Sequence, residues 1–189
     1  DITVPEATTE VINIYAGTNE NAELSNFAER PFEDKGEWKG VTFKSVEGAF
    51  QAAKLQYISN SSLTDDFGLT KKGENLLDKL QEATGAQAKA LGSPKNIDGL
   101  NKKLWDQNSE RIMKDLITES FKQNSQALQK LLDTGNATLT HTQDRGKWGT
   151  EFPRILMEVR EELKTSQPTT EVTEGVSKKF VPSTFMESM

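Results

Sequence analysis

The sequence predicts an α+β fold: a mainly helical single domain with a small antiparallel sheet. Three observations lead to it. Apolar residues recur at helical spacing in several stretches between residues 45 and 163. β-branched and aromatic runs bounded by turn residues are confined to 11–43 and 137–142. With 189 residues, 34% of them hydrophobic and 28% charged, the composition is that of a soluble globular protein of one domain with a tail.

Residues 1–10 are rich in Thr, Glu and Pro and read as a leader to a domain over 11–164. Val11-Ile12-Asn13-Ile14-Tyr15 fits a strand, ended by the polar turn cluster 17–21. Leu24-Ser25-Asn26-Phe27-Ala28 sets two hydrogen-bonding side chains between apolar neighbours. That suits a ligand contact, and equally Ser25 and Asn26 capping their own backbone. Residues 31–43 form an antiparallel hairpin, with Phe32, Trp38, Val41 and Phe43 as apolar positions and Lys35-Gly36 as the turn.

The hairpin delivers the chain to residues 45–55, where Ser45 is a good N-cap. Val46, Ala49, Phe50 and Ala53 share one helix face, and Glu47, Gln51 and Lys54 share the other. An acid, an amide and an amine in a row make a wall for a polar ligand. A solvated face explains the same row, since all three are good helix formers and an acid belongs near a helix N-terminus.

Residues 59–70, rich in Ser, Asn and Asp, predict an exposed loop. Short helices follow over 73–82 and 86–91, interrupted at Gly85 and closed by Gly92-Ser93-Pro94. Trp105 precedes a long helix with Ile112, Leu116, Ile117 and Phe121 on one stripe. Asn124 caps a further helix that Gly135 ends, and 137–142 alternates as a short strand. In the glycine-bounded loop 143–149, Asp144, Arg145, Lys147 and Trp148 crowd together. An aromatic face beside cations suits a flat base and a phosphate, although a surface Asp-Arg turn with a Trp plugged into the core fits as well. Pro153 opens the last helix. Residues 165–189 turn to Thr, Ser, Pro, Glu and Lys and predict a flexible tail, in which Phe180, Phe185 and Met186 form a docking segment for a protein partner.

Composition excludes several chemistries. A net charge of −6 argues against a broad basic surface gripping nucleic-acid backbone and leaves room only for a local basic cleft. The absence of Cys removes disulfides, thiolate catalysis and Cys-ligated zinc. A single His, His141, makes a His-based triad or His-rich metal site hard to assemble, and neither metal nor cofactor is assigned. No run is apolar enough to cross a membrane and no signal peptide is read, so the expected location is the cytoplasm. The chain starts at Asp1, as a processed product or an excised piece would.

Several motifs fall in one order along the chain: Ile14-Tyr15, Ser25-Asn26-Phe27-Ala28, and Ser45-Val46-Glu47 with Phe50-Gln51-Ala52 and Lys54. Trp105, Leu131-Leu132-Asp133-Thr134-Gly135, Asp144, Trp148-Gly149 and Ile155-Leu156-Met157-Glu158-Val159-Arg160 continue the series. As a set they resemble the NADAR family, also called YbiA-like. The resemblance implies a compact, mainly helical α+β domain that binds ADP-ribose-like or ribosyl-phosphate ligands. Family members are N-glycosidases, acting on ADP-ribosylated guanine in nucleic acid or on phosphorylated ribosylamino intermediates of riboflavin synthesis.

Carried over by position, the resemblance places Glu47, Lys54, Trp105, Asp144 and Trp148 around the site, with Ser25, Asn26 and Phe27 at its entrance and Gln51 and Gly149 among the substrate-binding residues. Breaking an N-glycosidic bond develops positive charge at the anomeric carbon, so a carboxylate stabilises it and another group must help the base depart or activate water. The helix dipole favours an ionised Glu47, as stabiliser or base, unless burial raises its pKa. Asp144 orients water or ribose hydroxyls. Lys54 pairs with Glu47 or phosphate or, with its own pKa lowered, attacks the sugar carbon to form a Schiff base. Trp105 and Trp148 enclose the base and ribose.

The chain departs from the family pattern in three places. Gly48-Ala49 stands where His-Tyr is usual, 150–154 replaces a glycine-rich segment, and 59–79 is an insertion. Two functions follow from the sequence. One is an N-glycosidase for ADP-ribose conjugates or related ribosyl phosphates; the other is a non-catalytic ADP-ribose-binding or structural module of a larger assembly.

Overall fold

Ser45 Oγ accepts the Gly48 N–H at 3.0 Å and starts a helix over Val46–Ala53, every residue of which is buried. The rest of the domain is wrapped around it. In the computed structural model, which describes residues 10–166, the elements run β1 (Val11–Asn13), β2 (Phe32–Glu33), β3 (Thr42–Phe43), α1 (Val46–Ala53), β4 (Thr64–Asp65), β5 (Gly68–Leu69), α2 (Lys71–Glu82), α3 (Gly85–Leu91), α4 (Lys102–Lys122), α5 (Ser125–Asp133), β6 (Thr138–Thr140) and α6 (Lys147–Ser166). Residues 1–9 of the predicted leader, and the tail beyond 166 with Phe180, Phe185 and Met186, lie outside the described residues.

Small side chains explain how three helices reach α1 at once. It packs against α2, α3 and α4, and α4 in turn packs against α5 and α6. A Cβ on Gly48 would lie 2.8 Å from the Leu80 carbonyl oxygen, so only glycine lets the α2 backbone approach this closely. Burying α1 on all sides rules out the solvated-face alternative for its polar row: Glu47 is 8% exposed and Gln51 6%. The surrounding core joins Ile14, Phe43, Leu80, Ile117, Phe121, Leu131, Leu139 and Leu156 into one cluster.

The mainly helical α+β architecture agrees with the sequence, and the strands are arranged as three two-stranded sheets. The predicted hairpin is antiparallel, with Phe32 opposite Phe43. Its turn is wider than Lys35-Gly36: Asp34 Oδ1 accepts from Gly36 N–H, Asp34 Oδ2 from Trp38 N–H, and Gly40 supplies the positive φ of 89°. β1 instead pairs in parallel with β6, in the register Val11 to Thr138. A parallel pair needs a long crossover, and here nearly the whole domain is that crossover.

Four local expectations change. Residues 59–70 carry the β4–β5 hairpin and a buried Leu63, not a simple exposed loop. Trp105 lies inside α4, which starts at Lys102 because Asn101 Oδ1 caps the Leu104 N–H. Asn124 precedes α5 without a side-chain cap; its amide donates to Pro31 O and Ser120 O. Pro153 sits within α6, which begins six residues earlier at Lys147. The added turn is held from outside the helix, where Trp148 packs edge-on against Phe50 at 5.4 Å.

Candidate active site

The predicted row on α1 forms one wall of a cleft of about 260 Å³. Ser25, Asn26, Glu47, Gln51, Lys54, Trp105, Asp144 and Trp148 all line it, so elements far apart in sequence meet here. Asn26 also anchors the wall, its carbonyl accepting the Glu47 N–H at 3.1 Å. Two predicted site residues stand elsewhere. Phe27 lines the adjoining cleft of about 710 Å³, where it packs on Gly85. Gly149 is not among the lining residues: a Cβ there would lie 1.9 Å from the Asp144 carbonyl oxygen, so this glycine lets α6 start against the Asp144 loop.

Glu47 accepts a 2.6 Å hydrogen bond from Gln51 Nε2 through Oε2. Burial pushes its carboxyl above the ordinary carboxylate range; the Gln51 bond and the charges of Lys89 and Lys54 oppose that push, while Asp144 adds to it. Desolvation, the largest cause, therefore moves Glu47 toward its neutral form. Lys54 continues the row in a 3-10 turn after α1 and donates from Nζ to Gly92 O at 3.1 Å. Burial lowers its ammonium pKa, with Glu47 pulling the other way. No ion pair within 4.0 Å joins either group to a partner among the described residues.

The aromatic residues form one block. Phe50 is wedged between Trp105 at 5.1 Å and Trp148 at 5.4 Å, and Tyr57 meets Trp105 edge-on at 5.6 Å. Trp105 is buried and Trp148 half-buried, so the two indoles enclose one side of the cleft while packing into the core. The core plug and the cleft wall are one arrangement. Ser25 follows its local alternative, Oγ accepting the Phe27 N–H at 2.9 Å. Asn26 reaches across instead: Nδ2 donates to Met113 Sδ at 3.4 Å, and Oδ1 is buried without a protein partner, as is Gln51 Oε1.

Lys89, Met113, His141 and Phe152 also line the cleft and were not singled out as site residues. Lys89 and Met113 lie on helical stripes that give no local sign of facing a cavity. His141 carried a signal, as the lone imidazole three residues before Asp144. Ser25, Lys89, His141 and Asp144 line both clefts and mark where they meet. Among the described residues no group of three or more His, Asp or Glu is placed to hold a metal, and no helix is long and apolar enough to cross a membrane.

The NADAR domain model matches residues 14–164. A curated relative named N-glycosidase YbiA, from Shigella flexneri serotype 5b (strain 8401), is 25% identical over 162 residues, covering 81% of this chain and 88% of the relative. A second of the same name, from Shigella flexneri, matches to the same extent. The NMR structure of the E. coli protein YbiA shares the fold with a TM-score of 0.62 at 22% identity, over 87% of this chain and 93% of that one.

Proposed function

The chain belongs to the NADAR domain family, and from that premise we propose that it is an N-glycosidase, hydrolysing the bond between an anomeric carbon and a base nitrogen in ADP-ribose conjugates such as ADP-ribosylated guanine, or in related ribosyl phosphates. The observation that carries the proposal is the meeting of Glu47, Lys54 and Asp144 in one cleft walled by two Trp rings. The name of the two distant relatives supports the reaction class.

Burial equips the two α1 groups for complementary tasks. A carboxyl whose pKa is raised holds a proton for the departing base, and an amine whose pKa is lowered supplies a lone pair. Lys54 Nζ bonds to the anomeric carbon as the carbon–base bond breaks; that electron pair leaves with the base, which takes the Glu47 proton. Loss of a proton from the new amine and opening of the sugar ring give a Schiff base, and water then adds to the same carbon and frees Lys54. Asp144 orients that water. The buried acceptors Asn26 Oδ1 and Gln51 Oε1 suit ribose hydroxyls. In the adjoining cleft Lys89 and Arg145 complement phosphate charge.

The test is incubation of the purified protein with a guanine-ADP-ribosylated oligonucleotide and with free nucleotides including NAD, following release of base or ADP-ribose by mass spectrometry. Release is expected, lost in Lys54→Ala and strongly reduced in Glu47→Gln. ADP-ribose binding with no turnover of any of these substrates would replace the enzyme with a binding module.

A further inference from the structure

We infer that His141 is a catalytic base that, with Asp144, seats the water of the hydrolytic step; the inference rests on the N-glycosidase reading above. His141 Nδ1 lies 2.8 Å from the Ile14 carbonyl oxygen. A carbonyl oxygen only accepts, so Nδ1 carries the ring proton and Nε2 presents its lone pair. Nε2 lies 4.0 Å from Asp144 Oδ2, too far for a direct hydrogen bond. Two hydrogen bonds of about 2.8 Å meeting at a water's roughly 90–105° angle span about 4.0–4.4 Å, the separation one water bridges.

The surroundings fix both acceptors. Asp144 Oδ1 accepts the Gly146 N–H at 2.8 Å, leaving Oδ2 for His141. The imidazole is held edge-on against Phe152 at 5.3 Å and tilted against Tyr15 at 6.4 Å. Both groups line the cleft that Lys54 also lines, so a water between them shares that cavity with Lys54. In the step, the water oxygen bonds to the anomeric carbon of the protonated Schiff base and the carbon–nitrogen π pair moves to Lys54 Nζ. One water proton goes to His141 Nε2, and the Asp144 carboxylate stabilises the imidazolium. The imidazolium proton then passes to Nζ, and the carbon–Nζ bond breaks with its electron pair ending on the amine while the hydroxyl oxygen forms the carbonyl and gives its proton back to His141 Nε2.

His141→Asn and His141→Gly separate this role from a structural one. The Asn side-chain amide can keep a donor toward Ile14 O but has no Nε2, and the Gly variant leaves space for added imidazole. The expected result for His141→Asn is a fall in kcat of about 10²–10³-fold with KM falling in step, because slowed hydrolysis lets a borohydride-trappable adduct accumulate on Lys54. Added imidazole is expected to raise His141→Gly turnover about tenfold or more. Wild-type turnover by His141→Asn overturns the inference. So does a loss carried wholly in KM, or one that imidazole leaves untouched in a folded His141→Gly. Wild-type protein that releases no base from any substrate overturns the N-glycosidase reading and this inference with it.

Discussion

Two charged regions of this domain obey opposite rules. Between α4 and α6, Lys114 bonds Glu162 at 2.6 Å and Glu158 at 3.4 Å, while Arg154 bonds Glu151 at 2.6 Å and Glu110 at 3.4 Å. These groups are in contact with solvent, and hydrogen bonds to Glu162 and Glu151 push Lys114 and Arg154 further toward their charged forms. On α1, Glu47 and Lys54 are desolvated, and both pKa values move toward the neutral form. Exposed pairing stabilises charge and adds little to folding. Burial without an ion-pair partner opposes charge and readies a group to exchange a proton or lone pair.

The largest effect that would break this contrast is kinetic. Lys54→Ala is expected to reduce turnover by about 10³–10⁴-fold and abolish borohydride trapping, with ADP-ribose binding by calorimetry retained. Retained trapping would remove Lys54 as the nucleophile. Glu47→Gln is expected to lower turnover about 10²–10³-fold, since the amide keeps the shape but cannot give up the proton.

The same variant sharpens the contrast through pH. Because the folded Glu47 carboxyl lies above its ordinary 4.5, the native state holds this proton to higher pH than the unfolded chain. That contribution is full below about 4.5 and is lost as pH rises through the folded pKa. Glu47→Gln should therefore gain stability relative to wild type as pH rises above about 4.5, read as a widening difference in Tm. A constant difference would place Glu47 in an ordinary solvated setting.

Packing effects come next. Gly48→Ala is expected to destabilise the domain by about 1–3 kcal/mol in urea, because the helix-favouring methyl meets the Leu80 carbonyl oxygen at 2.8 Å. The smallest effect belongs to the surface. Lys114→Ala should change stability by less than about 1 kcal/mol and leave turnover unchanged, as its partners remain hydrated. A larger loss would make the α4–α6 lattice a structural network in its own right.

Gly48 serves the packing of α1. Position 48 points at α2, not into the cleft. Small residues on α1 are what allow α2 to cover this face.

Much of the site was legible because its residues advertise themselves locally. Ser45 as cap, the Glu47–Gln51–Lys54 spacing and the crowded Asp144–Trp148 loop are each visible within one or two helical turns, and the structure brings them to one cleft. The places of Phe27 and Gly149 were not legible. Both depend on close approaches to other backbone, at Gly85 and at the Asp144 carbonyl, that no local pattern records. Lys89 and His141 join the cleft only because α3 and the segment after β6 pack there.

By itself the sequence determined helices α1, α2, α3 and α5 and the strands β1, β2, β3 and β6, since caps, apolar spacing and β-branched runs act over a few residues. It also determined the chemical kinds available at the site. Tertiary structure decided the parallel pairing of β1 with β6 and the burial of α1 on every side. The desolvation of Glu47 and Lys54 followed. The physical reason is range: helix and strand signals are local, whereas desolvation is set by atoms that arrive from distant parts of the chain.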